Sequence, residues 1–302
     1  MRTIKNLFIL AFDHRSSFTK LVGVIGSPND EQKQTIRDFK HVIYEGFQQA
    51  LGMGVPKEYA AILTDEEYGD TVVREGISAG YTVAIPVEKS GQNEFVFDYG
   101  DQFSEHINKY HPSIVKVLIR YNPEDDQEVN KRQRQRLKIL SNFCKKENYS
   151  FMIEPLIPAT QKQLEMVGGD ETRYDLDVRP GLMVQMVKEL QLDSVEPDIW
   201  KIEGLEKTSD YEAVMKQARI DGRDHVVAVV LGRGADQNQV ETWLRTGAQV
   251  PGIIGFAIGR TIFGKPLKQL HEGTISKEEA INQIAKNYAH FYDVYTNGIK
   301  NS

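Results

Sequence analysis

The chain has 302 residues, of which 40% are hydrophobic and 26% charged, a balance typical of a globular protein with a sizeable core. A net charge of −6 argues against a general nucleic-acid binder, and no apolar run approaches the roughly 18 residues that a membrane span needs. The N-terminus lacks the long apolar region of a signal peptide. We therefore expect a cytoplasmic protein with neither nucleic-acid nor membrane partners.

Short apolar runs alternate with amphipathic stretches along the whole sequence, which predicts parallel strands joined by helical crossovers. Eight such units favour an α/β fold of the (β/α)₈ TIM-barrel type, with the barrel at about 7–264. The predicted strands are Leu7–Phe12, Ala60–Thr64, Thr82–Val87, Ile114–Arg120, Phe151–Leu156, Ile199–Glu203, Val226–Leu231 and Ile253–Ile258.

We expect residues 1–302 to form one domain with a C-terminal helical extension at about 267–298, because no linker or repeat interrupts the chain. The last helix should begin at a capping-box pattern, in which Glu279 follows Ser276 by three residues. The helices predicted most clearly are Asp30–Leu51, Tyr99–Tyr110, Asn130–Asn148, Pro180–Leu190, Tyr211–Asp221, Asp236–Thr246, Leu267–His271 and Lys277–Asn297.

Three features that could suggest chemistry have plainer explanations. The single cysteine, Cys144, shares a predicted helical face with Leu137 and Leu140, which favours core packing over a nucleophilic role. The basic run 131–138 follows an acidic segment and is typical of a solvated helix face. The seven histidines show no metal-binding spacing, so we expect neither a metal nor another cofactor.

Charged residues stand where buried barrel strands normally continue as apolar residues. Since side chains alternate along a strand, Lys201 should point into the barrel and its neighbour Trp200 toward the outer helices. A lone buried charge costs several kcal/mol, and apolar residues would serve stability as well as a salt-bridge network. Two lysines and two acids at one barrel mouth therefore predict a reactive site. These residues are Asp13, Lys116, Glu154 and Lys201.

Two neighbouring lysines are typical of imine-forming chemistry. An amine must be neutral to attack a carbonyl, and a second ammonium or a dry pocket lowers a lysine pKa from its usual value near ~10.4. Glu154 then suits proton transfer during dehydration of the carbinolamine. Asp13 could orient the hydroxyl whose loss of a proton cleaves the C–C bond, or take that proton. The spacing does not decide which lysine is the nucleophile.

Glycine-rich turns follow the seventh and eighth predicted strands. The first contains Gly232, Arg233 and Gly234, and the second contains Gly259 and Arg260. In many TIM barrels these two loops bind a phosphate through backbone N–H groups, and an arginine adds a two-pronged contact. The pattern predicts a site for a small phosphorylated molecule.

A second anionic end of such a ligand would need another cation. Arg15, just after the first strand, and Arg179, at the end of the long predicted loop 168–180, are the candidates. That loop is long enough to serve as a lid.

Several stretches resemble a known bacterial family, among them FMIEPLIPAT, VEPDIWKIEG and LGRGAD. Over about residues 6–297 the chain is similar to the aldolase-like C-terminal domain of bacterial 5-dehydro-2-deoxygluconokinase, from myo-inositol catabolism. That domain is in turn similar to the class I tagatose-1,6-bisphosphate aldolases. No kinase half precedes the first strand here, so we expect a free-standing protein whose pathway stays open.

The resemblance implies roles for the residues already singled out. It makes Lys201 the imine-forming lysine and Glu154 the acid/base residue, with Asp13 and Lys116 beside them. It also implies a phosphate site at Gly232–Gly234 and Gly259–Arg260.

The function expected from these observations is that of a class I aldolase acting on a sugar phosphate. The leading substrate is 6-phospho-5-dehydro-2-deoxygluconate, cleaved to dihydroxyacetone phosphate and malonate semialdehyde. One alternative is a tagatose-type ketose (bis)phosphate aldolase, and another is a non-catalytic sugar-phosphate sensor that regulates a kinase. Homo-oligomer formation stays open.

Overall fold

The computed structural model describes residues 6–24 and 26–300. Its strands form a closed parallel barrel in chain order, with the last strand pairing back to the first, which confirms the TIM barrel. Every predicted strand is present to within one residue at either end. The strands are β1 Leu7–Ala11, β2 Ala60–Leu63, β3 Thr82–Pro86, β4 Ile114–Arg120, β5 Ser150–Leu156, β6 Ile199–Glu203, β7 Val227–Leu231 and β8 Ile253–Ile258.

The residues at both ends of the sequence fall outside that description. They include the first five, on which the expectation of no signal peptide partly rests. In the described part of the chain, no helix is long and apolar enough to cross a membrane.

Helices connect the strands, and side-chain caps fix where several of them begin. Asn29 forms a capping box with Gln32, while Asp65 and Asp126 each accept a first-turn N–H. The helices are α1 Ser16–Leu21, α2 Asp30–Gly52, α3 Glu66–Ser78, α4 Phe103–Tyr110, α5 Gln127–Glu147, α6 Gln161–Met166, α7 Glu171–Arg173, α8 Arg179–Leu192, α9 Thr208–Ala218, α10 Gln237–Gly247, α11 Arg260–His271 and α12 Lys277–Lys300.

One predicted helix boundary is wrong for an identifiable reason. The predicted helix Leu267–His271 is only the second half of α11, since Pro266 lies inside that helix instead of ending it. A proline lacks the N–H that would bond four residues back, to the carbonyl of Ile262. The side-chain amide of Asn287 donates to that carbonyl at 2.8 Å, so the helix continues without an unpaired oxygen.

The predicted lid loop 168–180 is also largely helical. Asp170 accepts the N–H groups of Thr172 and Arg173 and starts α7. A π-helical turn, Tyr174–Val178, follows and leads directly into α8. The segment is therefore an ordered part of the barrel mouth, and the expectation of a loop was wrong.

Alternation along the strands produces two separate cores, as predicted. Trp200 and Ile202 pack into the large cluster between strands and helices. Ile199, one position before Trp200, belongs to the smaller cluster inside the barrel. Met152 lies there too, on the face of β5 that also carries Glu154. The inner face thus carries apolar residues at its base and the predicted charged residues nearer its C-terminal end.

The loop after β3, residues 87–98, folds back on itself as a short hairpin-like arm. An isolated bridge joins Glu88 to Phe97, and the N–H of Lys89 donates to the carbonyl of Val96 at 3.0 Å. Helix α5 anchors the tip of this arm, because Arg132 and Arg136 both pair with Glu94. Part of the basic run thus forms ion pairs with the arm instead of facing only solvent.

Two further sequence expectations concern single side chains. Cys144 is 1% exposed within the outer core beside Leu137 and Leu140, which confirms its packing role. The N–H of Glu279 donates to the hydroxyl of Ser276 at 3.1 Å just before α12, so the predicted cap is present.

Candidate active site

Three neighbouring strands bring the central charged residues together. Lys116, Glu154 and Lys201 lie on the inward faces of β4, β5 and β6, and all three are less than 10% exposed. The two oxygens of Glu154 are divided between the lysines. Oε2 lies 2.8 Å from Nζ of Lys116, and Oε1 lies 2.7 Å from Nζ of Lys201. The carboxylate therefore bridges two buried ammonium groups, as the inward register predicts.

Lys116 is the centre of a ring of acids. Its Nζ lies 2.8 Å from Oδ2 of Asp13, beyond β1, and 2.6 Å from Oε1 of Glu88, beyond β3, in addition to Glu154. Burial lowers the pKa of Lys116, but the three carboxylates outweigh it and hold that pKa well above 10.5. Lys116 is thus a permanent positive charge.

The pKa values of Asp13 and Glu154 are shifted by the neighbouring lysines. Burial raises the pKa of Asp13, but the ammonium groups of Lys116 and Lys201 outweigh burial and hold the pKa well below its usual range. Burial also raises the pKa of Glu154, and the same two lysines bring it below 4.5. Both groups are carboxylates at neutral pH.

Lys201 differs from Lys116 in its surroundings. It is 3% exposed, and its only ion-pair partner in the described chain is Glu154. One acid therefore faces Lys201 where three face Lys116. Without the charge of Lys116, Asp13 and Glu88 would lose their lysine partner and Glu154 would keep only Lys201, whereas without the charge of Lys201, Glu154 would still face Lys116. The two lysines therefore differ in the number of carboxylates that contact them, a difference that spacing alone did not indicate.

Glu88 is a site residue that the sequence reading missed. It is 9% exposed, and its Oε2 is buried without a hydrogen-bond partner. Burial raises the pKa of Glu88 despite the nearby Lys116. The available signal was its position two residues past β3, which matches that of Asp13 two residues past β1.

His14 is a second missed residue, directly after Asp13. Its Nδ1 lies 3.9 Å from Oδ1 of Asp13 and has no hydrogen-bond partner. The protein packed around the ring lowers the pKa of His14 to about 4, and the charges of Lys201 and Arg260 act in the same direction. The ring is therefore neutral at pH 7 and can either donate or accept a hydrogen bond.

A further buried lysine supports the end of β1 from below. Lys40, fully buried on α2, donates to the carbonyl of Phe12 and pairs with Asp65 at 2.5 Å. Its Nζ also lies 4.5 Å from the ring centre of Phe18. These contacts fix the main chain immediately before Asp13, so we interpret Lys40 as a positioning residue.

A cavity of about 140 Å³ opens above the ring of charges. Asp13, Glu88, Lys116 and Glu154 line its inner end, and the arm after β3 forms one wall. Ordered side chains from four strands or their following loops thus surround one space at the C-terminal end of the barrel, where TIM-barrel enzymes bind their substrates.

The glycine turns after β7 and β8 lie against each other. Arg233 and Gly234 both have positive φ, at 52° and 74°, and the N–H of Ala235 donates to the carbonyl of Gly232 at 2.9 Å. This is the pattern of a type I′ turn. A Cβ added to Gly234 would lie 2.7 Å from the guanidinium of Arg260. Arg260 therefore lies across the turn at the start of α11.

Gly259 places α11 next to the charged cluster. A Cβ added there would lie 2.3 Å from the carbonyl oxygen of Ala11 and 3.0 Å from the ring of His14. Only glycine lets the chain pass so close to the end of β1. The N-terminus of α11, which carries the positive end of the helix dipole, thus lies beside the end of β1 and the ring of His14.

The two arginines predicted for the phosphate site differ in whether they have an ion-pair partner. Arg260 is exposed and has no ion-pair partner among residues 6–24 and 26–300. Arg233 instead pairs with Asp175 and, at 3.0 Å, with Glu203. Of the two, only Arg260 has its charge available for a phosphate.

Arg179 is not the free cation that the sequence suggested. It is 2% exposed, and its guanidinium donates to Asp175 at 2.9 Å and to the carbonyl of Gly204 at 2.9 Å. Arg15 lines the cavity but pairs with Asp98 and donates to the carbonyl of Glu88 at 2.6 Å. Both arginines are therefore held by the protein, and Arg15 fastens the start of the arm.

No three His, Cys, Asp or Glu side chains of the described ranges are grouped so as to hold a metal ion.

Comparisons with known proteins agree with the fold. Residues 1–298 match the model of a family described as "Uncharacterized protein conserved in bacteria (DUF2090)". No curated protein matches the chain. Among solved structures, Cgl0159 from Corynebacterium glutamicum is similar, with a TM-score of 0.58 and 15% sequence identity over 96% of this chain and 88% of that one. Likeness at this level of identity shows the shared fold alone.

Proposed function

The chain belongs to the DUF2090 family, and from that starting point we propose that it is a class I aldolase that cleaves a phosphorylated sugar or sugar acid through an imine on Lys201. The observation that carries this proposal is the unequal environment of two buried lysines. Three carboxylates keep Lys116 charged, while Lys201 shares a single carboxylate with it. A fixed ammonium next to a lysine with one partner is the arrangement that favours a neutral, nucleophilic amine.

Imine formation uses Lys201 and Glu154. The neutral Nζ of Lys201 attacks the ketone carbon, and the carbonyl oxygen gains a proton to form a carbinolamine. Glu154, 2.7 Å from Nζ, then transfers a proton to the hydroxyl so that it leaves as water. The product is an iminium ion that can accept an electron pair.

Cleavage of the carbon–carbon bond follows from that iminium ion. The hydroxyl on the β-carbon loses its proton, the bond between the α- and β-carbons breaks, and the electron pair moves to the α-carbon as an enamine. An aldehyde leaves, the α-carbon gains a proton, and water hydrolyses the imine to release the ketone and free Lys201. Asp13 is suited to orient the β-hydroxyl, and the unpaired Oε2 of Glu88 offers a second acceptor for its proton.

For the substrate we propose 6-phospho-5-dehydro-2-deoxygluconate. An imine at its C5 and cleavage between C3 and C4 produce dihydroxyacetone phosphate and malonate semialdehyde. The phosphate on C6 lies one carbon from the imine, and the glycine turns follow β7 and β8, the two strands that come after β6 around the barrel. The free charge of Arg260 and the start of α11 support phosphate binding there.

Borohydride trapping tests the imine directly. Dihydroxyacetone phosphate plus borohydride should add one triose phosphate to the intact protein, and the adduct should map to the peptide that contains Lys201. The same adduct should form after prolonged treatment with a strong chelator. If a known class I aldolase is trapped under the same conditions and this protein is not, imine chemistry is excluded. An adduct on Lys116 would reverse the assignment of the nucleophile.

Removal of the Arg260 side chain tests the phosphate site. A charge-assisted hydrogen bond is worth roughly 1.5–3 kcal/mol, so Arg260→Ala should weaken binding of a phosphate ester by about 10–150-fold. Glycerol 3-phosphate is a suitable probe for calorimetry, since it lacks the carbonyl needed for an imine. Lys268→Ala, on the same helix but paired with Glu272, is the matched control and should leave binding unchanged. Equal affinities for the Arg260→Ala and native proteins would place the phosphate elsewhere.

A further inference from the structure

The cavity reaches away from the phosphate turns. Its lining residues come from β4, β5, the segment after β1 and the arm after β3, and none of them comes from β6, β7 or β8. A substrate joined to Lys201 with its phosphate beyond β7 and β8 would therefore extend its other half into this cavity. The side chains there select the chemical class of that half.

The cavity lining carries four acids and four cations, but the ion pairs among them and with their neighbours are unevenly distributed. Each lining carboxylate already has a cationic partner: Asp13, Glu88 and Glu154 face Lys116, and Glu94 faces two arginines of α5. Arg15 is likewise paired with an acid. The lining cations without an acidic partner in the described chain are Arg120 and Lys89.

Arg120 is placed for recognition. It shares the inward face of β4 with Lys116 and Leu118, and all three line the cavity. Its Nη1 donates to the carbonyl of Gln92 at the tip of the arm, at 2.8 Å, which fixes the guanidinium. Nε and Nη2 have no partner within residues 6–24 and 26–300, so one edge of the group stays available as a donor.

The arm that accepts the hydrogen bond from Nη1 of Arg120 is itself held in place. The arm that carries Gln92 is tied to α5 by the ion pairs of Glu94, and the N–H of Phe95 donates to the side-chain oxygen of Gln133 at 3.0 Å. A binding group fixed before the ligand arrives loses little conformational freedom on binding.

We propose that Arg120, with Lys89 at the rim, binds a carboxylate on the aldehyde half of the substrate, which makes the preferred substrate a phosphorylated keto sugar acid. This inference rests on the proposed aldolase function. A carboxylate is planar and suits two parallel donors from one guanidinium, whereas bound phosphates typically collect several N–H groups.

The experiment runs the reaction in the direction of condensation. Dihydroxyacetone phosphate is combined with malonate semialdehyde, which carries the carboxylate, or with propanal, which has the same three-carbon chain without it. The measured quantity is the ratio of kcat/KM for the acid to kcat/KM for propanal. Arg120→Gln should lower this ratio by about 10–150-fold, the range for a lost charge-assisted hydrogen bond. Lys89→Gln should lower it less, since Lys89 lies at the exposed rim.

Two controls keep the outcomes distinct. Arg74→Gln removes an exposed arginine paired with Asp70 on α3, outside the cavity, and should leave the ratio unchanged. Trapping of dihydroxyacetone phosphate by Arg120→Gln reports that its fold and Lys201 are intact. Should that variant fail to fold, Arg120→Lys keeps the charge but loses the two-pronged donor, and it should still lower the ratio.

Each remaining outcome overturns something specific. If the native protein traps no triose phosphate, the aldolase function fails and this inference fails with it. If the native protein does trap triose phosphate, but the ratio of the two kcat/KM values is the same in the native protein and in Arg120→Gln, only the proposed carboxylate site is wrong. If glyceraldehyde 3-phosphate is a better acceptor than malonate semialdehyde and Arg120→Gln removes that advantage, the site binds a second phosphate instead.

Discussion

Replacing Lys201 with arginine should lower the rate of substrate cleavage by roughly 10⁴–10⁶-fold, the scale of loss when a covalent nucleophile is removed. Arginine keeps a positive charge beside Glu154 but cannot be deprotonated in a protein, so it cannot attack a carbonyl. The decisive measurements are kcat with 6-phospho-5-dehydro-2-deoxygluconate and the mass of the protein after borohydride trapping. Both activity and adduct should be absent.

Lys116→Arg is the matched variant at the neighbouring position. The proposal requires only a positive charge there, so trapping on Lys201 should persist, with a smaller loss of activity. Circular dichroism of both variants checks that the buried exchange leaves the fold intact. If Lys201→Arg still forms the adduct and Lys116→Arg does not, the two lysines must exchange roles.

Replacing Glu154 with glutamine should lower kcat by about 10²–10⁴-fold, the usual contribution of general acid–base catalysis. The amide keeps the size of the side chain between Lys116 and Lys201 but cannot carry a proton. In the free protein both lysines lower the pKa of Glu154. Once the amine of Lys201 is a neutral carbinolamine, one of those charges is gone, and the pKa rises toward the range in which the group can gain and transfer a proton.

The control for this prediction lies on the same inward face. Glu203 is also buried, but it accepts the N–H of Ile157 at 3.0 Å and pairs with Arg233, so its oxygens are engaged away from Lys201. Glu203→Gln should therefore change kcat much less than Glu154→Gln. Substrate binding, measured from single-turnover kinetics, should be little affected by Glu154→Gln. Near-normal turnover of Glu154→Gln would assign the proton transfer to another acid. Glu203 and Asp13 would then be tested next.

The barrel and the centre of the site could be predicted because strand periodicity alone determines them. A charge within an apolar run, such as Lys116 in IVKVLIR, must point inward if its neighbours pack against helices. Glu88 and His14 were missed because they lie beyond the strands, where alternation no longer indicates direction. Asp13 also lies beyond its strand, but it was noticed as the charge that directly ends the apolar run LFILAF. Glu88 is placed by the arm after β3, and His14 lies next to Gly259 at the start of α11.

The wrong expectation that these arginines are free cations arose because their ion-pair partners could not be recognised from the sequence. Arg233 and Asp175 are 58 positions apart, and nothing local to either indicates that they pair. Arg179 is a different case, because its partner Asp175 is only four positions away and the two side chains meet because the segment 171–178 is helical instead of a loop. Conversely, Arg120 lies inside a correctly predicted strand, and the alternation that was applied to Lys116 also indicates an inward position for it, although the sequence reading did not single it out.

The ring around Lys116 constrains how such a chain can change over evolutionary time. Loss of Lys116 alone would leave Asp13 and Glu88 buried without a lysine partner, at a cost of several kcal/mol, so tolerated replacements require concerted changes at several of these positions. Loss of Lys201 affects only Glu154, which keeps Lys116 as a partner. Its loss therefore costs less folding free energy than the loss of Lys116. A lineage that lost catalysis but kept ligand binding would therefore lose Lys201 first. Homologues that retain Lys116 and its three acids but lack Lys201 would be the descendants of such a lineage.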